Sequence, residues 1–501
     1  MTQREEIAKK LKKILSIHSI EEKESERLPE FTEPFRFQSI LFQQCQNSAD
    51  ELSYLGSCLS CESGDFSNMF RGIYQGNRLN FASSATLDGG CNHVRFFGAS
   101  VTALACNDKE FVEKAMPYSL GLCGTAVPYD TIPNLFMGIF YKDETMMGEA
   151  LALVEKFQKR KQRKYDLLIV QYFVDLWEKR TENLTELIEQ ICIEEQRVTE
   201  NTTYIGYGNE KYNKVMNIFV HGLFALAEHY LGAELFETLA LPNAKSFCKE
   251  YELYRRGQTQ DRRLLVNYPE NYGYLNQIPD LIPQITLKES GKKKCIVDTE
   301  LFADELFQKV YAPGKLQHII KRDIAWIAAW GTTDEFIQKF QEEDEARYFY
   351  DRGLIYYALS NSDMGSCYEI SSFLLSRCNK DKKNCILEKK TRDFDGPYHT
   401  LFQRKNCDVL QTAELCDRLF KAGSDPNQEG EKNILPIELM MALPFAEEDL
   451  QPLYDFWMKL PVVDLKLYTF DGKQPIDFAK KYKRKKISCL DKGTVIKKCR
   501  G

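Results

Sequence analysis

The chain has 501 residues, of which 43% are hydrophobic and 12% aromatic, and carries a net charge of −6. That length exceeds what one hydrophobic core organises, so two or three domains are expected, and the apolar content excludes a wholly disordered chain. The acidic balance excludes the basic footprint of a whole-chain nucleic-acid binder and favours basic partners. Residues 1–18 predict a helix with Ile7, Leu11 and Ile14 at helical spacing. Charged residues interrupt it throughout, so it lacks the apolar core of a secretory leader. Residues 19–35 read as a charged, Pro-bearing link. From 36 to 275 the pattern is helical: Phe111–Met116, Met146–Gln158, Tyr165–Trp177, Thr185–Arg197, Tyr212–Tyr230 and Lys245–Arg256 each carry apolar residues at i, i+3, i+4 spacing. Gly and Pro break it at Gly121–Pro133 and at Leu241–Asn243. No alternation long enough for a central sheet occurs, and no apolar run approaches a membrane span. Residues 276–298, with Pro279, Pro283, Gly291 and Lys292–Lys294, read as a linker. Past it, short helices alternate with Gly-, Asp- and Asn-bearing turns at intervals of about 35 residues.

The stretch Leu419-Phe-Lys-Ala-Gly-Ser-Asp-Pro-Asn427 reads as a helix end, a left-handed Gly cap at 423 and a loop. Leu435-Pro436-Ile437 and Gln474-Pro475-Ile476 read as new helix openings, because a helix's first turn has no use for the donor that Pro lacks. Gly396 with His399-Thr400-Leu401 reads as a further opening, one without Pro after Thr400. Upstream, Ile324–Gly331 followed by Asp334–Phe340, and Gly353–Ser360 followed by Tyr368–Ser376, read as helix, turn, helix. Between about Lys321 and Lys485 the pattern resembles a series of degenerate ankyrin repeats, each a turn plus two antiparallel helices. That resemblance implies a protein-binding surface built from turn tips and first helices. It makes Tyr398, Glu429, Lys432, Tyr468 and Asp471 candidate partner-binding residues.

A second resemblance covers residues 80–260. Phe97–Ala105, the paired stretches Pro133–Asp143 and Met146–Phe157, Asp166–Glu178, then Val220–Tyr230 running into Leu241-Pro242 and Phe247–Tyr251 follow one another in an order that resembles the Immunity protein 49 family of bacterial polymorphic toxin systems. Tyr254 stands where the family pattern places a Trp. The resemblance implies an all-helical protein that binds a cognate toxin and blocks it.

Candidate chemistry is sparse. Sixteen cysteines are scattered from Cys45 to Cys499 without a repeated framework, which reads as reduced thiols in a cytoplasmic protein. Cys58-Leu-Ser-Cys61 lacks the second half of a zinc motif, and its cysteines read as core or loop residues. Cys91 and His93 bring a thiol and an imidazole close in sequence, but side chains two apart on a helix diverge. His221 and His229 lie two turns apart and read as packing or capping residues. Gly206-Tyr-Gly208 lacks the Lys-Ser/Thr of a phosphate loop. Glu342, Glu343 and Asp344, in an acidic run, are candidates for contact with a basic cleft, or else a solvated helix end. Lys480–Lys486 fits either an anionic partner or a solvated repeat end. Trp326 and Trp330, four apart, fit either an interface or a core.

The expectation is an all-α fold: an N-terminal helix and link (1–35), a helical immunity-like domain (36–275), a linker (276–298) and an ankyrin-like repeat domain (299–501). The expected function is non-enzymatic neutralisation of a protein toxin by covering its active site or substrate groove, with no cofactor, metal, membrane or nucleic acid. The alternatives are an ankyrin scaffold or secreted effector without a toxin partner, and an enzyme within 36–275 using Cys91 or His93.

Overall fold

The computed structural model describes residues 2–15, 34, 42, 45, 51–86, 93–124, 126–197, 210–268, 272–289, 295–310, 323–378, 386–389, 395–404, 406–430, 433–460 and 472–488. The fold is all-α; its strands, among the described residues, are β1 (Leu287–Glu289) and β2 (Cys295–Val297), an antiparallel pair. The chain divides into two compact units, one of Met1–Pro29 and Gln38–Ala312, the other of Glu30–Phe37 and Pro313–Gly501.

In the first unit, α1 (Gln3–Ile14) opens with a reciprocal cap between Thr2 and Glu5 and buries Ile7, Ala8 and Leu11. It packs on α2 (Leu52–Ser63), which crosses α3 (Ser67–Ser84) at a pair of glycines. A Cβ on Gly56 would stand 2.4 Å from the Asn68 carbonyl oxygen, and one on Gly72 2.5 Å from that of Leu52. Neither position accepts a side chain, and the two backbones touch as a result. Then follow α4 (His93–Leu104), α5 (Lys109–Ala115), α6 (Pro128–Tyr141), α7 (Glu144–Gln158), α8 (Lys164–Trp177), α9 (Thr181–Glu195) and α10 (Ile218–Leu231). The helix α4 lies at the centre, against α3, α5, α6 and α10, and Phe97 on it meets Phe136, Phe173 and Phe219 edge to face.

The unit closes with α11 (Lys249–Arg256), α12 (Tyr274–Leu281), the β1–β2 pair and α13 (Thr299–Val310). The stretch expected as a linker is therefore largely structured. Pro279 sits inside α12, and α13 packs on α12, so the division between units falls near Ala312. Composition misled because Pro and Lys punctuate a short helix and a hairpin as readily as a link. The break expected through Pro133 also moves: Pro128 opens α6 in its first turn, and Pro133 is carried within that helix. The expected Tyr212–Tyr230 helix is interrupted, because Asn217 caps α10 through Val220 N–H at 3.1 Å.

The second unit is a run of helix pairs: α14 (Ile324–Trp330) with α15 (Thr333–Lys339), α16 (Leu354–Leu359) with α17 (Met364–Arg377), α18 (Pro397–Phe402) with α19 (Val409–Ala422), α20 (Pro436–Met441) with α21 (Gln451–Trp457), and α22 (Pro475–Lys481) with the single turn Lys485–Ser488. The first helices pack in series, α14 on α16, α16 on α18, α18 on α20 and α20 on α22. The second helices do the same from α15 through α17 and α19 to α21.

Recurrent polar devices hold the stack. In three openings the third helical residue turns back to accept the backbone N–H before the helix: His399 from Gly396 (3.0 Å), Glu438 from Leu435 (2.8 Å) and Asp477 from Gln474 (3.1 Å). His399 also donates to the Ile434 carbonyl at 2.8 Å, joining one pair to the next. A polar side chain just past a first helix reaches back to the preceding pair. Asn361 donates to the carbonyls of Ala328 and Gly331, Arg404 to Ser362, and Arg484 to Met441, Leu443 and Phe445. These satisfy carbonyls at the ends of the preceding first helices and in the turns just beyond them. Gly423 takes φ 105°, the left-handed cap expected of it. Trp330 donates its indole N–H to the carbonyl of Pro34 at 3.1 Å, within the same unit.

Candidate functional site

The candidate partner-binding residues divide by burial. Glu342 and Glu343 are exposed on a 3-10 turn, and Glu429 is exposed in the loop after Gly423. Asp344 is buried, accepts the Gln341 N–H at 2.9 Å and pairs with Arg347 at 3.3 Å, a structural role within the turn. Tyr398 is also buried, with its hydroxyl on the Cys416 carbonyl and its ring beside Phe456 and Trp457. Tyr398 is thus covered rather than presented on a surface, because α14, α16 and α18 are buried along their whole length, between the neighbouring first helices and the second-helix row. Lys432, Tyr468 and Asp471 lie outside the described residues, as do Cys91 and Gly206–Gly208.

Next to the acidic turn, Phe349 and Arg352 bridge across Tyr350 and Asp351, both with positive φ (48° and 65°). Such a conformation is costly for a tyrosine. Here the Tyr350 hydroxyl donates to Asp323 at 2.6 Å and accepts from Trp326 Nε1 at 3.2 Å, which fixes the tip. Trp326 and Trp330 are therefore core residues, and Arg484, within the basic run, is buried on carbonyls rather than free for an anionic partner.

The titratable clusters of the first unit are mostly structural. Arg78 grips Asp108 with two bonds (2.7 and 2.8 Å) and donates to the Pro279 carbonyl, all buried. His221 accepts the Cys248 N–H at Nε2, so its Nδ1 carries the proton and faces Glu252 at 3.5 Å. Burial lowers its pKa, and Arg255 clamps the other side of Glu252. His229 bonds the Phe140 carbonyl instead, so the two histidines do not converge. Cys58 and Cys61 are helical core residues. Burial pushes the Cys58 thiol up to about 11, and a hydrogen bond to Cys248 raises that of Cys61. Among the described residues no group of three or more metal-ligating side chains occurs.

Asp166 is buried, and neither of its oxygens has a hydrogen-bond partner among the described residues. Burial pushes its carboxyl up to about 6, against the opposing charge of Arg163. Its stabilising contribution is full below the unfolded value near 3.9 and is lost as pH rises through about 6. Asp166→Asn should therefore raise stability at pH 8 by roughly 2 kcal/mol more than at pH 4. Thermal melts at the two pH values check this; an equal change at both would refute the buried-charge penalty.

The cluster that sequence spacing did not assemble is Cys123 with His93. His93 opens α4, and Cys123 lies on the loop before α6. Their Sγ and Nδ1 atoms are 3.0 Å apart. The signal was hidden because thirty positions separate the partners, whereas Cys91 stood beside His93 in the sequence.

No protein-family model matches the chain, and no curated protein does. Among solved structures, a functionally unknown protein from Leptotrichia buccalis C-1013-b is similar at 20% identity, over 34% of this chain and 95% of that one, with a TM-score of 0.28.

Proposed function

We propose that the chain is an immunity-type binding protein that neutralises a toxin by covering its active site or substrate groove, with ankyrin-like pairs in the second unit presenting the contact turns. The observation that supports this reading is the serial packing of first helices on first helices and second on second. Pairs stacked in that way expose one connecting turn per step, a geometry suited to extended protein contact. Exposed carboxylates at Glu342, Glu343 and Glu429 suit a basic toxin cleft, where opposite charge raises the association rate more than the affinity.

The test is co-expression of this chain with the reading frame adjacent to its own. The reading requires that the neighbour be lethal alone and tolerated together with this chain. A harmless neighbour, or one still lethal in the presence of this chain, removes the toxin and leaves a scaffold or effector. The combined change Glu342→Lys, Glu343→Lys, Glu429→Lys should slow association about tenfold or more at low salt and leave the melting temperature unchanged, since all three side chains are solvated. Unaltered association kinetics would locate the contact elsewhere.

A further inference from the structure

Among the cysteines whose side chains are described, Cys123 and Cys378 are half-buried and the others are buried. The two differ in what their sulfur meets. Cys378 faces the Leu374 carbonyl at 3.6 Å, which can only accept its proton as a hydrogen bond. Cys123 faces a ring nitrogen. His93 Nε2 lies 2.7 Å from the Gly121 carbonyl oxygen, and a carbonyl only accepts, so Nε2 carries a proton. In the neutral ring Nδ1 is then the unprotonated, basic nitrogen, and it lies 3.0 Å from the Cys123 sulfur.

The loop is built to keep that alignment. Asn134, buried on α6, accepts the Cys123 N–H at 2.9 Å and donates to the Cys123 carbonyl at 2.8 Å, gripping the residue on both sides. Gly121 adopts φ 66°, open to glycine, and so turns its carbonyl to the imidazole. Arg160, past α7, donates to the Ala126 carbonyl at 3.3 Å and so ties down the far side of the same loop.

We propose that Cys123 is a nucleophilic thiol, activated by His93, and a site of oxidation by small hydroperoxides. The thiol proton passes to His93 Nδ1. The thiolate attacks one peroxide oxygen, forming the S–O bond as the O–O bond breaks. The departing oxygen takes the proton from Nδ1 and leaves as water or an alcohol. Sulfur loses two electrons to become the sulfenic acid, the peroxide gains them, and His93 returns to its neutral form. A half-buried sulfur admits so small an oxidant, and the protonated imidazole supplies the acid its leaving group needs. This inference stands apart from toxin binding.

The test uses the full chain, iodoacetamide as a probe of nucleophilicity, and mass spectrometry to read each cysteine. At pH 6.5 Cys123 should be alkylated about tenfold or more faster than Cys378 in the same sample. Its rate should reach half-maximum below the roughly 8.5 of a free thiol. His93→Gln should remove the advantage and return the midpoint to that of a free thiol. Brief hydrogen peroxide treatment followed by dimedone should label Cys123 before Cys378. If Cys123 reacts no faster than Cys378, or its midpoint is that of a free thiol, activation by His93 is wrong. Rapid alkylation without a dimedone adduct overturns the peroxide assignment. Should His93→Gln fail to fold, the midpoint of the unsubstituted chain decides alone.

Discussion

Arg78→Leu should destabilise the first unit by about 3–5 kcal/mol, one of the largest losses available to a single substitution in this chain. The Arg78 side chain is 0% exposed and that of Asp108 1%. The guanidinium supplies two short bonds to Asp108, one of 2.7 Å to the Pro279 carbonyl and one of 3.3 Å to Glu110, and it stacks over Tyr74 at 4.7 Å. Leucine leaves a buried carboxylate with only the Phe111 N–H and the Gln260 amide as partners. An unpaired buried charge costs far more than the pair is worth, so the loss reflects Asp108 as much as Arg78. Adding Asp108→Asn to Arg78→Leu should therefore recover part of it. The two units need not unfold together, so the readout is hydrogen exchange in peptides of α3 and α5. Exchange within about 1 kcal/mol of the unsubstituted chain would refute the account.

Gly222→Ala should be comparably severe, with a loss of about 3 kcal/mol or more, and Gly148→Ala should go the other way. A Cβ on Gly222 would stand 1.9 Å from the Val101 carbonyl oxygen and 2.6 Å from its carbon. Those atoms are backbone of α4, so no rotamer change relieves the clash, and the whole α10–α4 crossing must open. The displacement would also reach the ring cluster around Phe97. Gly148 lies exposed on α7 with nothing near its missing Cβ. There alanine only restricts the unfolded chain and improves helix propensity, a gain of about 0.5–1 kcal/mol. Thermal melts of both variants give the comparison, and a Gly222→Ala chain that melts with the unsubstituted one would show that the helices are not in contact there.

The helical periodicity of α7, α8 and α11 was legible because each buries one stripe, and the turn chemistry at Gly423, Pro436 and Pro475 was legible because those residues act locally. What failed was long-range. The opening at Gly396 was read around Thr400, one turn late. The structure begins it at Pro397 with His399 turned back on Gly396, a contact that becomes obvious only when Ile434 supplies the ring's second partner. The burial of Tyr398 depends on α21, which no local pattern near Tyr398 announces. The pairing of Cys123 with His93 likewise depends on how a glycine turn folds back, and the Gly56–Gly72 crossing gave no apolar stripe to detect.

The bond from Trp330 to Pro34 spans 296 positions. The second unit thus takes a strut from near the beginning of the polypeptide, and the larger segment of the first unit, Gln38–Ala312, lies in sequence between the two bonded residues. Closing such a span from an unfolded chain costs roughly 5 kcal/mol in entropy, a penalty that falls once the intervening segment has condensed. During synthesis the strut must wait until Trp330 has emerged, by which time the first unit can already be formed. A fragment cut at the boundary near Ala312 would lose Glu30–Phe37, and with it the Pro34 carbonyl that accepts the Trp330 indole N–H, so one cut does not deliver the whole second unit.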